Sequence, residues 1–488
     1  MKILGINCLN HDAGISLIED GEILFAAHSE RYSRLKNDMH LNDDIVNEAL
    51  SFGKPDKIVY YEKPWNKKIR QLYAGQYSEV FSFQNMPGTY LKKWFDTSCI
   101  EYVDHHKSHA AAGYFTSKFS EAVVVVIDGI GEWDVATIWH GKDNSLKKVY
   151  SIKYPHSLGL FYSAMTKRVG LKPCEEEYIL MGMAAWGNKK HAEKIYDDFF
   201  HRDAPLRLKH NLHRGVGNYQ ETWEDFDIAA STQKVTETIL KNIFLKSKSI
   251  FPSIDNLVFM GGVALNCMAN TNALASLYEN IWIMPNPGDA GSSLGCAAAV
   301  ASRRLNWKGP FLGTRVLGSY PIKQPLDLLL KGEIVGIANG RAEFGPRALG
   351  NRSLLADPRG PHIKDKVNEI KKRQKFRPFA PAVLEERAHE IFEMPVKSAP
   401  YMQFIAKCKR PDLYPAICHV DNTSRVQTVS EKDNTEFYKL LTQFYKKTGC
   451  PMLLNTSLNI KGQPIVNDEL HAAAFEKHYS INVYTSED

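Results

Sequence analysis

Short apolar runs alternate with polar turns at the start of the chain. Runs over residues 3–6, 15–18 and 23–27 are separated by polar turns, and the second turn contains Asp20-Gly21. An Asp-Gly pair between two apolar runs is a signal for a β-hairpin. A second set, with runs over residues 122–127 and 135–139, flanks the turn that begins at Asp128. The pattern therefore predicts two strand–turn–strand units.

Farther along the chain, strands alternate with glycine turns and helices. A helical period over residues 225–244 predicts a helix, with Asp227 as its N-cap. A buried strand over 256–260 runs into a glycine turn, and a strand over 281–284 precedes a second such turn and an alanine-rich helix near residue 293. This order is typical of an α/β domain that binds nucleotide or phosphate. We therefore expect the first turn to contact a nucleotide through Gly261, Gly262 and Asn266.

The length of 488 residues exceeds one compact domain. Residues 306–330 are rich in Gly, Pro and Leu and show no period. We therefore predict a first domain over residues 1–310, a linker over 311–330 and a second domain over 331–488. The second domain is predicted as mixed α+β, with strands near 334–339, 402–406, 425–429 and 452–455 and helices near 364–373 and 435–446.

The net charge of +6 is unevenly distributed. Residues 301–488 contain 29 Lys and Arg against 20 Asp and Glu, whereas residues 1–300 contain 32 against 35. A basic second domain favours a polyanionic ligand such as a nucleotide, an acyl phosphate or nucleic acid. A solvated surface with spare lysines explains the charge equally well.

The sequence shows no membrane span, its N-terminus is unlike a signal peptide, and its cysteines are scattered. These features predict a cytoplasmic protein without a membrane partner. The longest apolar run, residues 122–127, is far below the roughly 18 residues of a membrane span. The N-terminus is typical of a first strand rather than a signal peptide. The eight cysteines are scattered and include no Cys-x-x-Cys, which favours reduced thiols over a disulfide framework.

The segment 104–111, Asp-His-His-Lys-Ser-His-Ala-Ala, is a candidate metal site. His105 and His109 are four residues apart and would share one helix face. His106 and His109 are three residues apart, so spacing alone does not choose between the two pairs. A histidine cluster on a surface helix is the alternative.

Two aspartates would complete such a site. Asp128 ends an apolar strand, and Asp289 lies in a glycine turn before a helix. Imidazoles with carboxylates suit Fe(II), Zn or Mn better than copper or an iron–sulfur cluster. Either aspartate could instead form a turn or an N-cap. His11 and Asp12 follow the first strand as a possible general base and its partner, or as a capped turn.

In the second domain, cationic and amide side chains fall in loops. Arg347 lies in a glycine-bounded loop, and Lys371 and Arg377 belong to a stretch over 364–377 with seven cationic residues. Arg425 follows a polar turn, and Asn455 and Ser457 follow a buried strand. Arginines converging with amide and hydroxyl groups would bind a phosphate and a small planar group. A solvated or nucleic-acid-binding face is the alternative for residues 364–377.

Together these segments resemble the O-carbamoyltransferases of the nodulation-factor and cephalosporin type. The matching stretches occur in order along the chain, and they are residues 10–13, 29–31, 104–111, 126–132, 155–163, 181–184, 261–266, 287–291, 345–353, 376–381, 419–429 and 454–466. The resemblance implies an α/β actin-like first domain, similar to the enzyme that transfers threonylcarbamoyl groups to tRNA. It also implies a YrdC-like α+β second domain.

The resemblance further implies a two-step reaction. The YrdC-like domain would use carbamoyl phosphate and ATP, with Mg accompanying the ATP, to make carbamoyl-adenylate. The first domain, with iron(II) bound, would pass the carbamoyl group to an acceptor hydroxyl. The implied metal ligands are His105, His109, Asp128 and Asp289, and His11 would lie near the acceptor. The implied contacts to carbamoyl phosphate and ATP are Arg347, Lys371, Arg377, Arg425, Asn455 and Ser457.

The chain departs from the family pattern in ways that leave the acceptor open. Ile179 replaces a common Lys, Asn422 replaces a usual Gly, and residues 187–225 form a shorter segment than in many relatives. A sugar, a natural product or a hydroxymethylpyrimidine, free or in DNA, would each supply a hydroxyl. Monomer and homodimer both remain open. The rival interpretation is a tRNA-modifying or nucleic-acid-binding protein built from the same two folds.

Overall fold

A computed structural model describes residues 1–360 and 362–487. The chain divides into two compact units, the first with residues 1–33 and 37–307 and the second with residues 34–36 and those from Lys308 onward. The segment 311–330, predicted as a linker, is instead folded into a strand and a helix of the second unit. The boundary therefore falls before the predicted linker, because the apolar residues of that segment have a core to pack against.

The first unit contains two sheets and the helices that cover them. Its strands are β1 (Lys2–Asn7), β2 (Gly14–Glu19), β3 (Glu22–His28), β4 (Lys57–Tyr60), β5 (Glu101–Tyr102), β6 (Glu121–Ile127), β7 (Asp134–Lys142), β8 (Ser145–Lys153), β9 (Asn256–Met260) and β10 (Asn280–Trp282). Its helices are α1 (Glu30–Ser33), α2 (Asp43–Ser51), α3 (Pro64–Tyr73), α4 (Tyr77–Val80), α5 (Pro87–Tyr90), α6 (His105–Thr116), α7 (Leu158–Arg168), α8 (Glu177–Met183), α9 (Ala192–Phe199), α10 (Asp225–Ile250), α11 (Cys267–Ala269) and α12 (Ser292–Ala301).

The two sheets have the same topology. The strand order is β3-β2-β1-β4-β5 in one sheet and β8-β7-β6-β9-β10 in the other. In each, the first three strands form an antiparallel meander and the last two run parallel to the first strand of that meander. The two strand–turn–strand units predicted from the sequence are therefore confirmed as the openings of two equivalent half-structures.

Helix α6 is buried on nearly its whole circumference. Its small residues Ala110, Ala111, Ala112 and Gly113 permit this, because a Cβ on Gly113 would lie 2.5 Å from side-chain atoms of β9. Helix α12 crosses α6 closely at Gly295, where a Cβ would lie 1.8 Å from the carbonyl oxygen of Ser108. The backbone of α6 is thus fixed between a strand and a second helix.

Helix α10 differs from the sequence prediction in its C-terminal end and in the role of Asp227. It begins at Asp225 as predicted but continues to Ile250. The prediction that Asp227 caps the helix is wrong, because Asp227 lies inside the first turn. Its carboxylate accepts from the Asn188 N–H at 2.7 Å and pairs with Lys190 at 2.6 Å. The carboxylate therefore holds a neighbouring loop rather than the helix end.

The second unit is built on one large mixed sheet. Its strands are β11 (Phe311–Val316), β12 (Val335–Ala338), β13 (Gly340–Glu343), β14 (Arg352–Ala356), β15 (Ala380–Leu384), β16 (Phe392–Glu393), β17 (Phe404–Cys408), β18 (Thr423–Val429), β19 (Met452–Ser457) and β20 (Val483–Tyr484). Its helices are α13 (Lys323–Leu330), α14 (Ile363–Lys371), α15 (Glu385–Ile391), α16 (Thr435–Thr448) and α17 (Glu469–Tyr479).

The order in the large sheet is β16-β17-β18-β15-β19-β14-β12-β20, and β11 pairs with β13 separately. Helix α16 lies on this sheet through Phe437, Leu440, Leu441 and Phe444, which are completely buried. The mixed α/β class predicted for both parts of the chain is thus confirmed.

Among residues 1–360 and 362–487, no helix combines the length and the apolar character needed to cross a bilayer. All eight cysteines are free thiols, and six of them are buried.

Candidate functional site

Four side chains converge in the first unit, and we call them the histidine–aspartate cluster: His105, His109, Asp128 and Asp289. One ligand atom from each lies within 4.8 Å of the ligand atoms of the others. His105 and His109 extend from successive turns of α6, Asp128 follows β6, and Asp289 precedes α12. Spacing alone left open whether His105 or His106 partners His109, whereas the family resemblance implied His105. The structure brings His105 to the cluster.

The donor atoms of the cluster are spaced as ligands of one ion would be. The Nε2 atoms of His105 and His109 are 3.1 Å apart, and both lie 3.3–3.4 Å from the Asp289 Oδ1 atom. The Asp128 Oδ2 atom is 3.3 Å from His105 Nε2 and 3.9 Å from His109 Nε2. Ligands about 2.1 Å from a tetrahedral ion are themselves about 3.4 Å apart. Two imidazoles with two carboxylates therefore fit a divalent cation such as Fe(II), Zn or Mn.

Charges within the cluster are strongly coupled. Burial opposes protonation of His105, but Asp289 and Asp128 outweigh it and raise the pKa of His105 well above its usual value. Burial and Asp289 oppose ionisation of Asp128, yet the bond to His105 and the charge of His109 lower the pKa of Asp128 to about 2. The carboxylates thus stay ionised, which is the state that binds a cation.

Residues of both sheets reach the site from the carboxyl ends of parallel strands. Asn10 follows β1, Glu62 follows β4, α6 follows β5, Asp128 follows β6, and the Asp289 turn follows β10. Ligand sites in open α/β sheets occur at this edge. The duplicated topology therefore accounts for how residues far apart in sequence meet.

Asp128 is fixed by the glycine turn after β9. The N–H of Gly262 donates to Asp128 Oδ1 at 2.9 Å, which leaves Oδ2 facing His105. Gly261 has φ +93°, and a Cβ there would lie 2.2 Å from the Ile127 carbonyl oxygen. Only glycine therefore allows this close approach.

Two buried carboxylates that sequence reasoning missed support α6. Glu132 accepts from the N–H of His105 at 3.1 Å and from the N–H of Lys63 at 2.8 Å. A carboxylate at a helix N-terminus is stabilised by the unpaired N–H groups there. Glu62 accepts from Lys67 at 2.7 Å, and its other oxygen lies 3.8 Å from His105 Nδ1. Glu132 ends the family-matching stretch 126–132, but no local pattern indicated a role for either glutamate.

His106 points away from the cluster. Its Nδ1 atom is 2.9 Å from the Thr137 hydroxyl. Burial and the neighbouring His105 lower the pKa of His106 to about 3, so its imidazole is neutral. His106 is thus a buried histidine that faces β7 rather than the cluster.

His11 and Asp12 lie beside the cluster. The His11 Nδ1 atom is 3.0 Å from Asp12 Oδ2, and Nε2 is 2.8 Å from the Cys174 carbonyl oxygen. Burial opposes protonation, but Asp12 outweighs it and raises the pKa of His11 to about 9. A general-base role, which stays a prediction, therefore needs the contact with Cys174 to open.

The predicted nucleotide contact of Gly261, Gly262 and Asn266 also stays a prediction. The Gly261 N–H donates to the Pro287 carbonyl oxygen, and the Gly262 N–H donates to Asp128. The Asn266 amide exchanges two hydrogen bonds with Gln233. In this conformation these groups serve the protein's own structure.

In the second unit, Lys371 and Ser457 come together. The Lys371 ammonium group donates to the Ser457 hydroxyl at 3.1 Å and to Asn459 Oδ1 at 2.6 Å. Burial, reinforced by Arg373 and Arg377, lowers the pKa of Lys371 well below its usual value. The next residue, Lys372, is exposed and in the left-handed region, so Lys371 and not its neighbour Lys372 points inward here.

Asn455 and Gln427 hold the loop that carries Arg347. The Asn455 amide donates to the Ala348 carbonyl oxygen at 3.2 Å and to Gln427 Oε1 at 2.7 Å. Gln427 in turn donates to the Leu349 carbonyl oxygen at 3.1 Å. Arg425 lies two residues before Gln427 on β18 and therefore on the same face of the sheet. Gln427 was missed, although this two-residue spacing could have indicated it.

Arg352, the other arginine of that loop, is structural. It is completely buried, and its guanidinium donates to five main-chain carbonyl oxygens. Glu343 accepts from the N–H groups of Leu349, Asn351 and Arg352 at 2.8–3.1 Å. These contacts give the loop of Arg347 a fixed backbone.

Comparison with known proteins identifies the family. Residues 60–298 match the family described as Carbamoyltransferase N-terminus, and residues 326–488 match Carbamoyltransferase C-terminus. The nodulation protein NolNO of Sinorhizobium fredii is 32% identical, covering 94% of this chain and 76% of that protein. The nodulation protein NolO of Bradyrhizobium diazoefficiens is 34% identical, covering 75% and 74%. The chain belongs to the carbamoyltransferase family and is an enzyme of that class, as the sequence predicted.

Among solved structures, component A of the (R)-2-hydroxyglutaryl-CoA dehydratase of Acidaminococcus fermentans aligns with a TM-score of 0.37 and 14% identity. The alignment covers 62% of this chain and 99% of that chain. A similarity this low does not assign a fold or a function to the chain.

Proposed function

We propose that the enzyme is an ATP- and carbamoyl phosphate-dependent O-carbamoyltransferase that works in two steps. The second unit forms carbamoyl-adenylate, and the first unit transfers the carbamoyl group to a hydroxyl of an acceptor. The observation that carries this proposal is the convergence of His105, His109, Asp128 and Asp289. A built cation site in one unit, apart from the cationic loops of the other, supports a division of activation and transfer.

The fold assignment that accompanies this proposal is an actin-like first unit and a YrdC-like second unit. The repeated β3-β2-β1-β4-β5 and β8-β7-β6-β9-β10 order supports the first part, because an actin-like domain consists of two such halves. The large mixed sheet of the second unit, with its arginine and lysine loops, supports the second part.

Activation is assigned to Arg347, Lys371, Arg377, Arg425, Asn455 and Ser457. Carbamoyl phosphate and ATP are both multiply anionic, and arginine binds phosphate oxygens through paired N–H groups. In the reaction, water hydrolyses carbamoyl phosphate to carbamate and phosphate. A carbamate oxygen then attacks the α-phosphorus of ATP, and pyrophosphate leaves. The carbamoyl carbon of carbamoyl-adenylate is bonded to a phosphate oxygen of AMP. AMP is a better leaving group than the oxide ion that would have to leave from free carbamate.

Transfer is assigned to the histidine–aspartate cluster and to His11 with Asp12. A divalent cation, iron(II) by family resemblance, would polarise the carbamoyl carbonyl group and stabilise charge on its oxygen. Asp12 orients the His11 ring and, despite burial, raises the pKa of His11 to about 9, so the ring has to lose its Nε2 proton and release the Cys174 contact before Nε2 can accept the acceptor's proton. Gly262 and Glu132 fix Asp128 and α6 so that the cluster is already assembled.

The partial reaction without acceptor tests the first step. The full-length enzyme with carbamoyl phosphate and ATP should release pyrophosphate; release of only ADP and phosphate would contradict adenylation. Arg425→Ala should abolish pyrophosphate release, whereas Arg410→Ala, at an exposed arginine paired with Asp412, should not. His105→Ala should keep pyrophosphate release and lose transfer.

The acceptor is found by screening. Sugars, natural products, nucleosides and hydroxymethylated DNA are incubated with the complete system. Mass spectrometry then detects the gain of one carbamoyl group in place of a hydrogen. Transfer to a tRNA base with no free-hydroxyl acceptor would contradict O-carbamoylation and favour a tRNA-modifying enzyme.

A further inference from the structure

Helix α3 turns its polar face inward and its apolar face outward. Trp65, Ile69 and Tyr73 are 58–69% exposed, whereas Arg70 and Gln71 are 6% and 9% exposed. A surface helix normally buries its apolar stripe against the core. A local departure from that rule is typical of a functional site. The inward position of Arg70 and Gln71 is therefore explained by a ligand or partner that forms hydrogen bonds with them.

The Arg70 guanidinium has far fewer partners than it can use. Among residues 1–360 and 362–487, it donates one hydrogen bond, from Nη1 to Gln76 Oε1 at 3.2 Å, and its buried Nε has no acceptor. Within the described part of the chain, no carboxylate lies within 4.0 Å of it, although Glu62 and Glu132 attract its charge from a longer distance. Its guanidinium carbon lies 6.0 Å from the centre of the Tyr154 ring. A guanidinium has five N–H donors, and a buried charge without a partner is unfavourable.

Arg352, a buried arginine with a structural role, has many more hydrogen bonds than Arg70. The Arg352 guanidinium is also buried, but it makes five hydrogen bonds to carbonyl oxygens. Arg70 has a similar burial and one bond. The buried Gln71 Oε1 atom next to it also lacks a hydrogen-bond partner among the described residues.

Contacts connect helix α3 to the histidine–aspartate cluster, and the carboxylates of Glu62 and Glu132 beside that cluster attract the charge of Arg70. Glu132 accepts from the N–H of Lys63 at the start of α3 and from the N–H of His105 at the start of α6. The adjacent Trp133 contacts the Tyr73 ring at 5.5 Å, and its carbonyl oxygen accepts from the Tyr154 N–H at 2.8 Å. Helix α3 is thus fixed to the same short loop as the histidine helix.

We propose that Arg70 binds an oxyanion of a molecule that reacts at the histidine–aspartate cluster. The oxyanion is a phosphate of the carbamoyl donor or an acidic group of the acceptor, since both present the same paired oxygens to a guanidinium. The inference rests on the proposed carbamoyl transfer at that cluster. The polar face of α3 is buried because the bound oxyanion supplies the missing partner.

If the oxyanion is the donor phosphate, Arg70 assists the departure of the leaving group. In transfer, the bond between the carbamoyl carbon and the phosphate oxygen breaks, and its electron pair stays on the phosphate. A bond to the acceptor oxygen forms, and the acceptor proton leaves to a base. The phosphate gains negative charge in this step, so a guanidinium bound to it stabilises the transition state.

The transfer kinetics of Arg70→Gln test whether Arg70 binds an oxyanion and show which molecule carries that oxyanion. Arg70→Lys and Arg202→Gln are measured for comparison. Arg202 is exposed and paired with Glu193 and Asp197, and its replacement should change nothing. Loss of a charged hydrogen-bonded contact predicts about a 10- to 100-fold loss of transfer for Arg70→Gln, with partial recovery in Arg70→Lys. A lower kcat with every acceptor identifies the donor phosphate. A higher KM for acidic acceptors alone identifies the acceptor. Unchanged transfer with both kinds of acceptor overturns the proposal.

A bound probe gives a direct readout. Crystals of the full-length enzyme are soaked in tungstate, an oxyanion shaped like phosphate that is visible by anomalous scattering. Tungstate within hydrogen-bond distance of Arg70, and its absence there in Arg70→Gln, supports the proposal. No tungstate at Arg70, while it occupies the cationic loops of the second unit, overturns it. Tungstate at Arg70 with unchanged kinetics marks an adventitious ion only and also overturns it.

Thermal unfolding separates binding from a structural role. Burial lowers the pKa of Arg70 despite the attraction of Glu62 and Glu132, so removing this charge should leave the melting temperature of ligand-free Arg70→Gln equal to or above that of the wild type. A lower melting temperature would assign Arg70 to packing and overturn the proposal. Absence of pyrophosphate release in the wild type, in contrast, would count against the proposed function and not against an oxyanion at Arg70.

Discussion

Gly295→Ala tests whether the close crossing of α12 and α6 holds the histidine–aspartate cluster together. An added Cβ would lie 1.8 Å from the Ser108 carbonyl oxygen and 3.0 Å from the Ala112 Cβ. Ordinary contact begins near 3.4 Å, so the two helices must separate by about 1.5 Å. Ser108 lies between His105 and His109, and Asp289 precedes α12. The separation therefore moves the imidazoles away from the carboxylate.

The expected loss of stability follows from two opposing effects. Overpacking against a backbone atom costs about 3 kcal/mol, at the upper end of the usual range. The better helix propensity of alanine returns about 1 kcal/mol. We therefore expect a net loss of about 2 kcal/mol in the free energy of unfolding of the first unit. Metal affinity should fall by about tenfold or more, as for changes that reorient ligands.

The assays are urea unfolding and metal retention on dialysis against a graded chelator. Gly88→Ala is the matched control, because Gly88 also lies in a helix of the first unit and its added Cβ would meet only the Tyr102 hydroxyl at 3.8 Å. Its stability should stay equal or rise by up to about 1 kcal/mol. If Gly295→Ala matched Gly88→Ala in both assays, the close crossing would not be what positions the cluster.

Two further predictions concern buried charges. Glu132→Gln removes the carboxylate that accepts from the N–H groups of His105 and Lys63, so we expect a loss of about 1 kcal/mol in the free energy of unfolding, measured in urea; an unchanged value would show that the amide supports α6 as well. Burial lowers the pKa of Lys371 in the folded protein, so the unfolded chain binds more protons between that lowered pKa and about 10.4. The stability of the wild type relative to Lys371→Met should therefore rise with pH across this window, and a difference that falls or stays constant in urea unfolding at pH 7 to 10 would contradict the buried charge.

Strands and turns could be predicted because their signals are local. The apolar run 122–127 became β6, and the strand over 256–260 became β9 with the predicted bounds. Asp128 and Asp289 could be chosen because a carboxylate at the end of a buried strand or in a glycine turn is locally unusual. Asp227 was wrongly predicted as an N-cap because aspartate is favoured both at the N-cap and in the first turn of a helix. Its contacts with Asn188 and Lys190 hold it in the first turn.

The buried glutamates that support the histidine helix α6 could not be predicted. Glu62 and Glu132 stand among other charged residues, and their roles depend on long-range contacts with α6. Spacing also allowed His106 in place of His105, because residues three and four apart share a helix face. The family resemblance implied His105, and the physical reason is the orientation of α6 against β7, where His106 meets Thr137.

Metal content of histidine variants tests the central claim most directly. Full-length protein is loaded with Fe(II) or Zn, desalted, and measured by elemental mass spectrometry. The wild type and His106→Ala should each retain about one ion per chain, whereas His109→Ala should retain far less. Equal metal content in His109→Ala and the wild type, or an equal loss in His106→Ala, would contradict a metal centre formed by His105, His109, Asp128 and Asp289.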